Sequence, residues 1–155
     1  MDNRDAIGSW LSGPRAAAER MGVEFGYRGE RLGLPERGPG SVAPLGRRLA
    51  AVFIDWILSV VIAYGLIAHR NVHSANSWAL AVFGAVTLLA VSLTGSTPGK
   101  RLLRLRVVRV DGGRLGPLAA LVRTVLLLLF VPAVIWDRDT RGLHDRAAKS
   151  VEVRF

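Results

Sequence analysis

The sequence predicts an all-α membrane protein. It should be a small bundle of two transmembrane helices plus a third apolar helix, spanning or re-entrant, with a small cytoplasmic two-stranded element. Three observations lead there. Half of the 155 residues are hydrophobic and the mean hydropathy is +0.31, high for a soluble chain of this length. From Leu49 to Ala68 the run is apolar and holds one group ionisable at neutral pH, Asp55; about 20 such residues cross a bilayer core as a helix. The basic residues flank the apolar runs, with Arg47 and Arg48 before the first and His69 and Arg70 after it.

In chain order, residues 1–46 read as a soluble cytoplasmic arm and linker, and residues 47–155 as the membrane domain. Helices are expected near 48–68, 78–94 and 117–136, and strands near 103–110 and 150–154. In the arm, Ser9 to Met21 suits a short helix broken near Gly13-Pro14. Val23 to Leu34 interleaves glycines with Phe25, Tyr27, Leu32 and Leu34, which suits turns or a hairpin. So few large apolar residues make a weak core, so the arm reads as a weakly ordered tail or as a docking surface for a partner. Asn71 to Ser77 reads as a polar connection, short enough to make the first two helices antiparallel neighbours. Tyr64 and Trp78 are the aromatic anchors at that interface.

Gly95-Ser96-Thr97-Pro98-Gly99-Lys100 ends the second helix. It is not a phosphate-binding loop: the leading glycine is missing, and Arg101 stands where Ser or Thr is needed. From Leu103 the pattern alternates with Arg104, Arg106 and Arg109, as in a strand. Asp111-Gly112-Gly113 is a turn signal. Six basic residues between Lys100 and Arg114 face one acid, Asp111. Positive loops stay in the cytoplasm, so Lys100, Arg101, Arg104, Arg106 and Arg109 are expected to face anionic lipid headgroups there, with the N-terminus on the same side.

The third run, Leu118 to Trp136, contains Arg123 and Pro132. Its length favours spanning. The tail Ser150-Val151-Glu152-Val153-Arg154-Phe155 alternates like a strand and needs a partner, for which Leu105 to Val110 is the obvious candidate. That pairing requires the third run to return to the side it entered from.

Several functions are excluded or disfavoured. There is no cysteine, hence no disulfide, thiolate metal site or thiol catalysis. His69, His73 and His144 are too scattered for a convincing metal site, so neither metal nor cofactor is expected. Net charge is +9, but no nucleic-acid reader motif accompanies it. No paired carboxylates or nucleophile–base set suggests an enzyme. No signal peptide is visible in the polar, Gly-rich N-terminus.

Asp55 is the feature that needs explaining. An ionisable group at membrane depth costs about 2.5–3.5 kcal/mol on insertion scales. Arg48 lies seven residues earlier on the same face, but helix side chains lean toward the N-terminus, which points it away toward the headgroups. Arg123 lies roughly 9 Å inside the third run at 1.5 Å per residue. The sequence therefore predicts an Asp55–Arg123 pair, with Ser59 and Thr124 adding hydrogen bonds. The pair serves either as a proton or ion relay or as a buried lock on helix register.

Three blocks, in order, carry a resemblance: Arg47-Arg48-Leu49-Ala50-Ala51-Val52-Phe53-Ile54-Asp55, Thr97-Pro98-Gly99-Lys100-Arg101-Leu102-Leu103-Arg104-Leu105-Arg106-Val107-Val108, and Arg141-Gly142-Leu143-His144-Asp145-Arg146-Ala147-Ala148. Over about residues 45–155 the chain resembles the RDD family of bacterial multi-pass membrane proteins. The family's arginine and two aspartates fall on Arg48, Asp55 and Asp145. The segment between Arg123 and Asp145 is shorter than in many members, which often have room there for another pass. The resemblance implies a membrane protein of poorly defined activity, with cation–proton exchange suggested for some members. It also implies that Asp145, beside His144, receives Arg48 at the cytoplasmic rim; on physics alone, residues 141–145 read as a surface turn or cap. The expectation is an inner-membrane accessory or partner-binding subunit with a polar cluster of Arg48, Asp55, Arg123 and Asp145, either in a homo-oligomer or beside a membrane protein. The alternative is a small oligomeric transporter or cation–proton exchanger using Asp55.

Overall fold

The computed structural model describes residues 26–68, 71–129 and 141–155. Helix α1 (Leu45–Ile62) follows Pro44, whose extended backbone ends the linker, and continues through a π-helical turn at Ala63–Ile67. Helix α2 (Val72–Thr94) packs back along it. Both are long and apolar enough to cross a membrane. The described residues are mostly helical, with one small sheet.

The expected polar connection 71–77 belongs to α2, which is longer than the 78–94 read from the sequence. Asn71 is the reason. Its side-chain oxygen accepts from the N–H groups of His73 and Ser74 at 3.0 and 3.2 Å, closing orphan donors of the first turn. A polar first turn looks like a loop when only hydropathy is followed. At the far end, Gly95 takes a left-handed φ of 74° and its N–H returns to the Val91 carbonyl.

Thr97 then caps a short helix α3 (Pro98–Leu102), with Pro98 in the first turn, where its missing N–H costs nothing. Strand β1 (Leu105–Arg109) follows, slightly shorter than expected. Helix α4 (Pro117–Leu128), helix α5 (Leu143–Ala147) and strand β2 (Ser150–Arg154) complete the described chain. The strands pair antiparallel, Leu105 opposite Arg154 and Arg109 opposite Ser150. The anticipated pairing is therefore present, and the strands before and after the third apolar run lie side by side. At 12 residues, α4 spans about 18 Å, short of the roughly 30 Å core. The remainder of the expected helix, including Pro132, lies outside the described residues, as do His69 and the expected helix at 9–21.

The arm is not separate from the rest. Residues 40–43 run along the free edge of β2: Ala43 N–H donates to the Glu152 carbonyl at 2.8 Å and Arg154 N–H to the Ser41 carbonyl at 3.0 Å. Val42 sits opposite Val153, and Leu32 and Leu34 close over Val42, Val151 and Val153. The weakly ordered tail thus fails for residues 26–46. No hairpin forms at 26–34; a 3₁₀ turn at Glu30–Leu32 stands there between left-handed Gly29 and Gly33.

Burial along the helices is inverted relative to a water-soluble bundle. In α1 the buried positions are Arg48, Ala51, Asp55 and Ser59, while Leu49, Phe53, Ile57 and Val61 are exposed by 47–64%. In α4, Ala120, Arg123 and Thr124 are buried while Leu118, Leu121 and Val125 face outward. Small and polar residues line the helix contacts, and large apolar ones cover the outside.

Candidate functional site

Five charged side chains from five elements converge where the helices meet the sheet. Arg48 comes from the first turn of α1, Lys100 from α3, Arg123 from the middle of α4, Asp145 from α5 and Glu152 from β2. All are buried. Glu152 is the hub. Its Oε1 accepts from Lys100 Nζ and from Arg123 Nη2. Its backbone carbonyl accepts from Arg48 Nη2 at 3.2 Å, and Arg48 Nε lies 3.7 Å from Oε2. Asp145 is the second anion. Its Oδ1 accepts from Arg123 Nε at 2.8 Å and from the Ser150 hydroxyl at 3.1 Å. Arg48 Nη1 stands 3.8 Å from Oδ2.

Local structure explains the convergence. Capping by Thr97 turns the first residues of α3 inward, so Lys100 points into the protein while Arg101 points out. The α5 turn places His144 and Asp145 against α4. Strand β2 is covered on one face by the helices, on the other by Leu32 and Leu34, and on its free edge by residues 40–43, so Glu152 is buried as well as its neighbours Val151 and Val153.

The electrostatics follow from burial and pairing. Burial alone would raise the Glu152 carboxyl, but Lys100, Arg123 and Arg48 outweigh it and hold the group below the ordinary carboxylate range. Asp145 is also held low: burial opposes this and Arg123 prevails. Lys100 is lowered, first by burial and then by Arg123, against the pull of Glu152. His144, with Nε2 3.6 Å from Asp145 Oδ2, is pushed down to about 4, chiefly by burial, and is neutral at pH 7.

Asp55 does not meet Arg123. Its Oδ2 accepts from the Thr97 hydroxyl and its Oδ1 from the Gly99 N–H at 2.7 Å. The expected pair fails because α3 comes between. Gly99 lets the backbone lie against α1: a Cβ there would stand 2.4 Å from the Ala51 carbonyl oxygen. Arg123 turns instead to Asp145 and Glu152. Of the expected supports, Ser59 donates to the Asp55 backbone carbonyl at 2.7 Å and not to the carboxylate. Thr124 is buried with its hydroxyl unpartnered among the described residues. Arg48 does lean away from Asp55, but into the cluster and not out to headgroups.

Lys100 also leaves the set of outward-facing basic residues; Arg101, Arg104, Arg106 and Arg109 are exposed as expected. The Arg48–Asp145 approach implied by the resemblance is present at the rim, so residues 141–145 are more than a surface turn. Glu152 was missed by the sequence reading. Its signal was an acid inside the alternating strand, visible only once β2 is known to be covered on both sides.

His144, Asp145 and Glu152 offer ligand atoms within 4.8 Å of one another, the spacing of a metal site. The set does not suit a divalent cation, because Arg48, Lys100 and Arg123 already answer the same two carboxylates, and like charges at this range repel strongly in a dry site. What the arrangement does is fasten five elements through one network.

No curated protein and no solved structure matches the chain. The RDD family model matches residues 42–149, which include Arg48, Asp55, Lys100, Arg123 and Asp145 and end before β2. With more than two thirds of its length inside that match, and with the three blocks folded around one cluster, the chain belongs to the RDD family.

Proposed function

We propose that this chain is an integral protein of a bacterial inner membrane, and that it acts as an accessory or partner-binding subunit and not as an enzyme. The observation that carries the membrane reading is the inverted burial of α1, with Arg48, Asp55 and Ser59 inside and Leu49, Phe53, Ile57 and Val61 outside. Lipid, not water, is the solvent for such a surface. Helices α1 and α2 cross, and α4 enters from the side carrying the sheet. The exposed Arg101, Arg104, Arg106 and Arg109 support a cytoplasmic side there, by the positive-inside trend.

The accessory reading rests on how Asp55 is closed. A carrier carboxylate must exchange its ion with an aqueous path. This one is buried and satisfied by Thr97 and Gly99, which suits a fixed joint. The surface left for a partner is the cytoplasmic rim: residues 26–43 on the sheet edge and the basic face around Arg106, which stacks 5.6 Å over the Phe155 ring.

The test is reconstitution of the full chain in liposomes with a pH-sensitive dye inside. No sodium- or potassium-driven proton flux is expected, and a stoichiometric partner should co-purify with the detergent-solubilised chain. Flux that disappears in Asp55→Asn, with the variant still folded, would establish the exchanger instead.

A further inference from the structure

A cleft of about 520 Å³ opens beside the ion cluster, within the roughly 300–1,000 Å³ typical of small-ligand sites. Its walls come from α1, α2 and α4 and are apolar, with Phe53, Trp56, Phe83 and Leu128 prominent. Its floor is the cluster itself. The cleft reaches the outer apolar surface, because Leu49 and Phe53 line it and are 55% and 64% exposed.

Two properties of the floor select a ligand. Among the described residues lining the cleft, three cations (Arg48, Lys100 and Arg123) stand with two carboxylates (Asp145 and Glu152), and His144 is neutral. A floor richer in cations than in carboxylates favours a negative group over a positive one. In addition, Arg123 is 1% exposed and its Nη1 has no hydrogen-bond partner among the described residues. The carboxylate oxygens without hydrogen bonds, Asp145 Oδ2 and Glu152 Oε2, already face Arg48 at 3.8 and 3.7 Å. The unmet demand is for an acceptor.

We propose that this cleft binds one anionic phospholipid, with its phosphate toward Arg123 and an acyl chain along Phe53, Trp56 and Leu128. The assignment rests on the membrane reading above and deepens it: it names a lipid held by the buried cluster, distinct from headgroups gathered by the exposed arginines. An acyl chain suits walls that a soluble anion would leave unfilled, and a phosphate diester suits a guanidinium edge.

Native mass spectrometry of the detergent-solubilised full chain tests it, with phosphatidylglycerol and phosphatidylcholine of identical acyl chains as probes. One phosphatidylglycerol per chain is expected, preferred by at least about tenfold, a readily resolved difference in affinity. Leu49→Trp should fill the cleft mouth without touching a charge and abolish the preference. Leu89→Trp, on an outward face of α2 (61% exposed), should keep it. Equal binding of the two lipids, or an unchanged preference in Leu49→Trp, overturns the proposal. Displacement of the lipid by an equal concentration of inorganic phosphate would also overturn it, making the ligand a soluble anion. Membrane fractionation separates the two levels of failure. A chain that leaves membranes without detergent sinks the membrane reading; one that stays but shows no anionic preference sinks only this inference.

Discussion

Glu152 and Asp55 are both buried carboxylates, and their neighbours give them different weights. Glu152 answers Lys100, Arg123 and Arg48 together. Glu152→Gln leaves three cations facing one anion, so the loss should be in the range of about 3–5 kcal/mol for breaking a buried pair. Asp55 answers a hydroxyl and a backbone N–H. Asp55→Asn keeps an acceptor and should cost less than Glu152→Gln, whereas Asp55→Ala orphans the Gly99 N–H and should cost about 1–3 kcal/mol. Chemical denaturation in detergent, followed by circular dichroism, ranks the three; Asp55→Asn as the worst would refute this order. His144 makes the stability depend on pH. Its unfolded value is near 6.5 and its folded value about 4, so between them the unfolded chain binds a proton that the folded chain does not. Stability should fall as pH drops from about 6.5 toward 4. Asp145 and Glu152, held low, keep their contributions above their unfolded values of 3.8 and 4.5 and lose them only as pH falls further. Between pH 6.5 and 4.5 the slope of Tm should therefore come from His144, and His144→Gln should flatten it.

At the scale of elements, the short helix α3 is what redirects the site. The order of the apolar runs was legible in the sequence, as were the two strands and their pairing, because periodicity carries that information; the length of α2 was not, because its polar first turn read as a loop. The partners of Asp55 were not legible. A depth argument treats helices as rods side by side and has no place for a five-residue helix folded between them. Thr97-Pro98-Gly99 read as a helix stop; in fact it supplies a cap, a first-turn proline and a glycine that admits close contact. Two glycines separate this explanation from general crowding. At Gly99 an added Cβ meets backbone, 2.4 Å from the Ala51 oxygen and 3.0 Å from the Asp55 carboxylate. At Gly84 it meets only the tip of the Leu128 side chain, at 3.0 Å, which can rotate away. Gly99→Ala should destabilise by about 1–3 kcal/mol, the ordinary cost of overpacking, and Gly84→Ala by clearly less. Thermal melts of both variants check this, and equal losses would mean that α3 is not held by close approach.

For the whole molecule, the proposed sidedness rests more on the sheet than on charge. In the sequence, the length of the third run favours spanning and an outside tail, while strand pairing favours a return. On the membrane reading proposed above, the β1–β2 register argues for one side, because strands paired from Leu105 to Arg109 lie together. The cluster adds a second constraint, joining Arg48 at the start of α1 to Asp145 and Glu152 near the C-terminus. The start of α1 and the C-terminal strand are therefore fastened to one rim. The native chain has no cysteine, so single cysteines report cleanly. Ser96 and Ser150 are buried and would report poorly; Arg101, Arg146 and Asn76 are exposed. In intact cells, Arg101→Cys and Arg146→Cys should resist a membrane-impermeant maleimide and react with it only after permeabilisation. Asn76→Cys should react from outside. If Arg101→Cys and Arg146→Cys label from opposite sides, the paired strands and the rim cluster both fail, and the third run crosses after all.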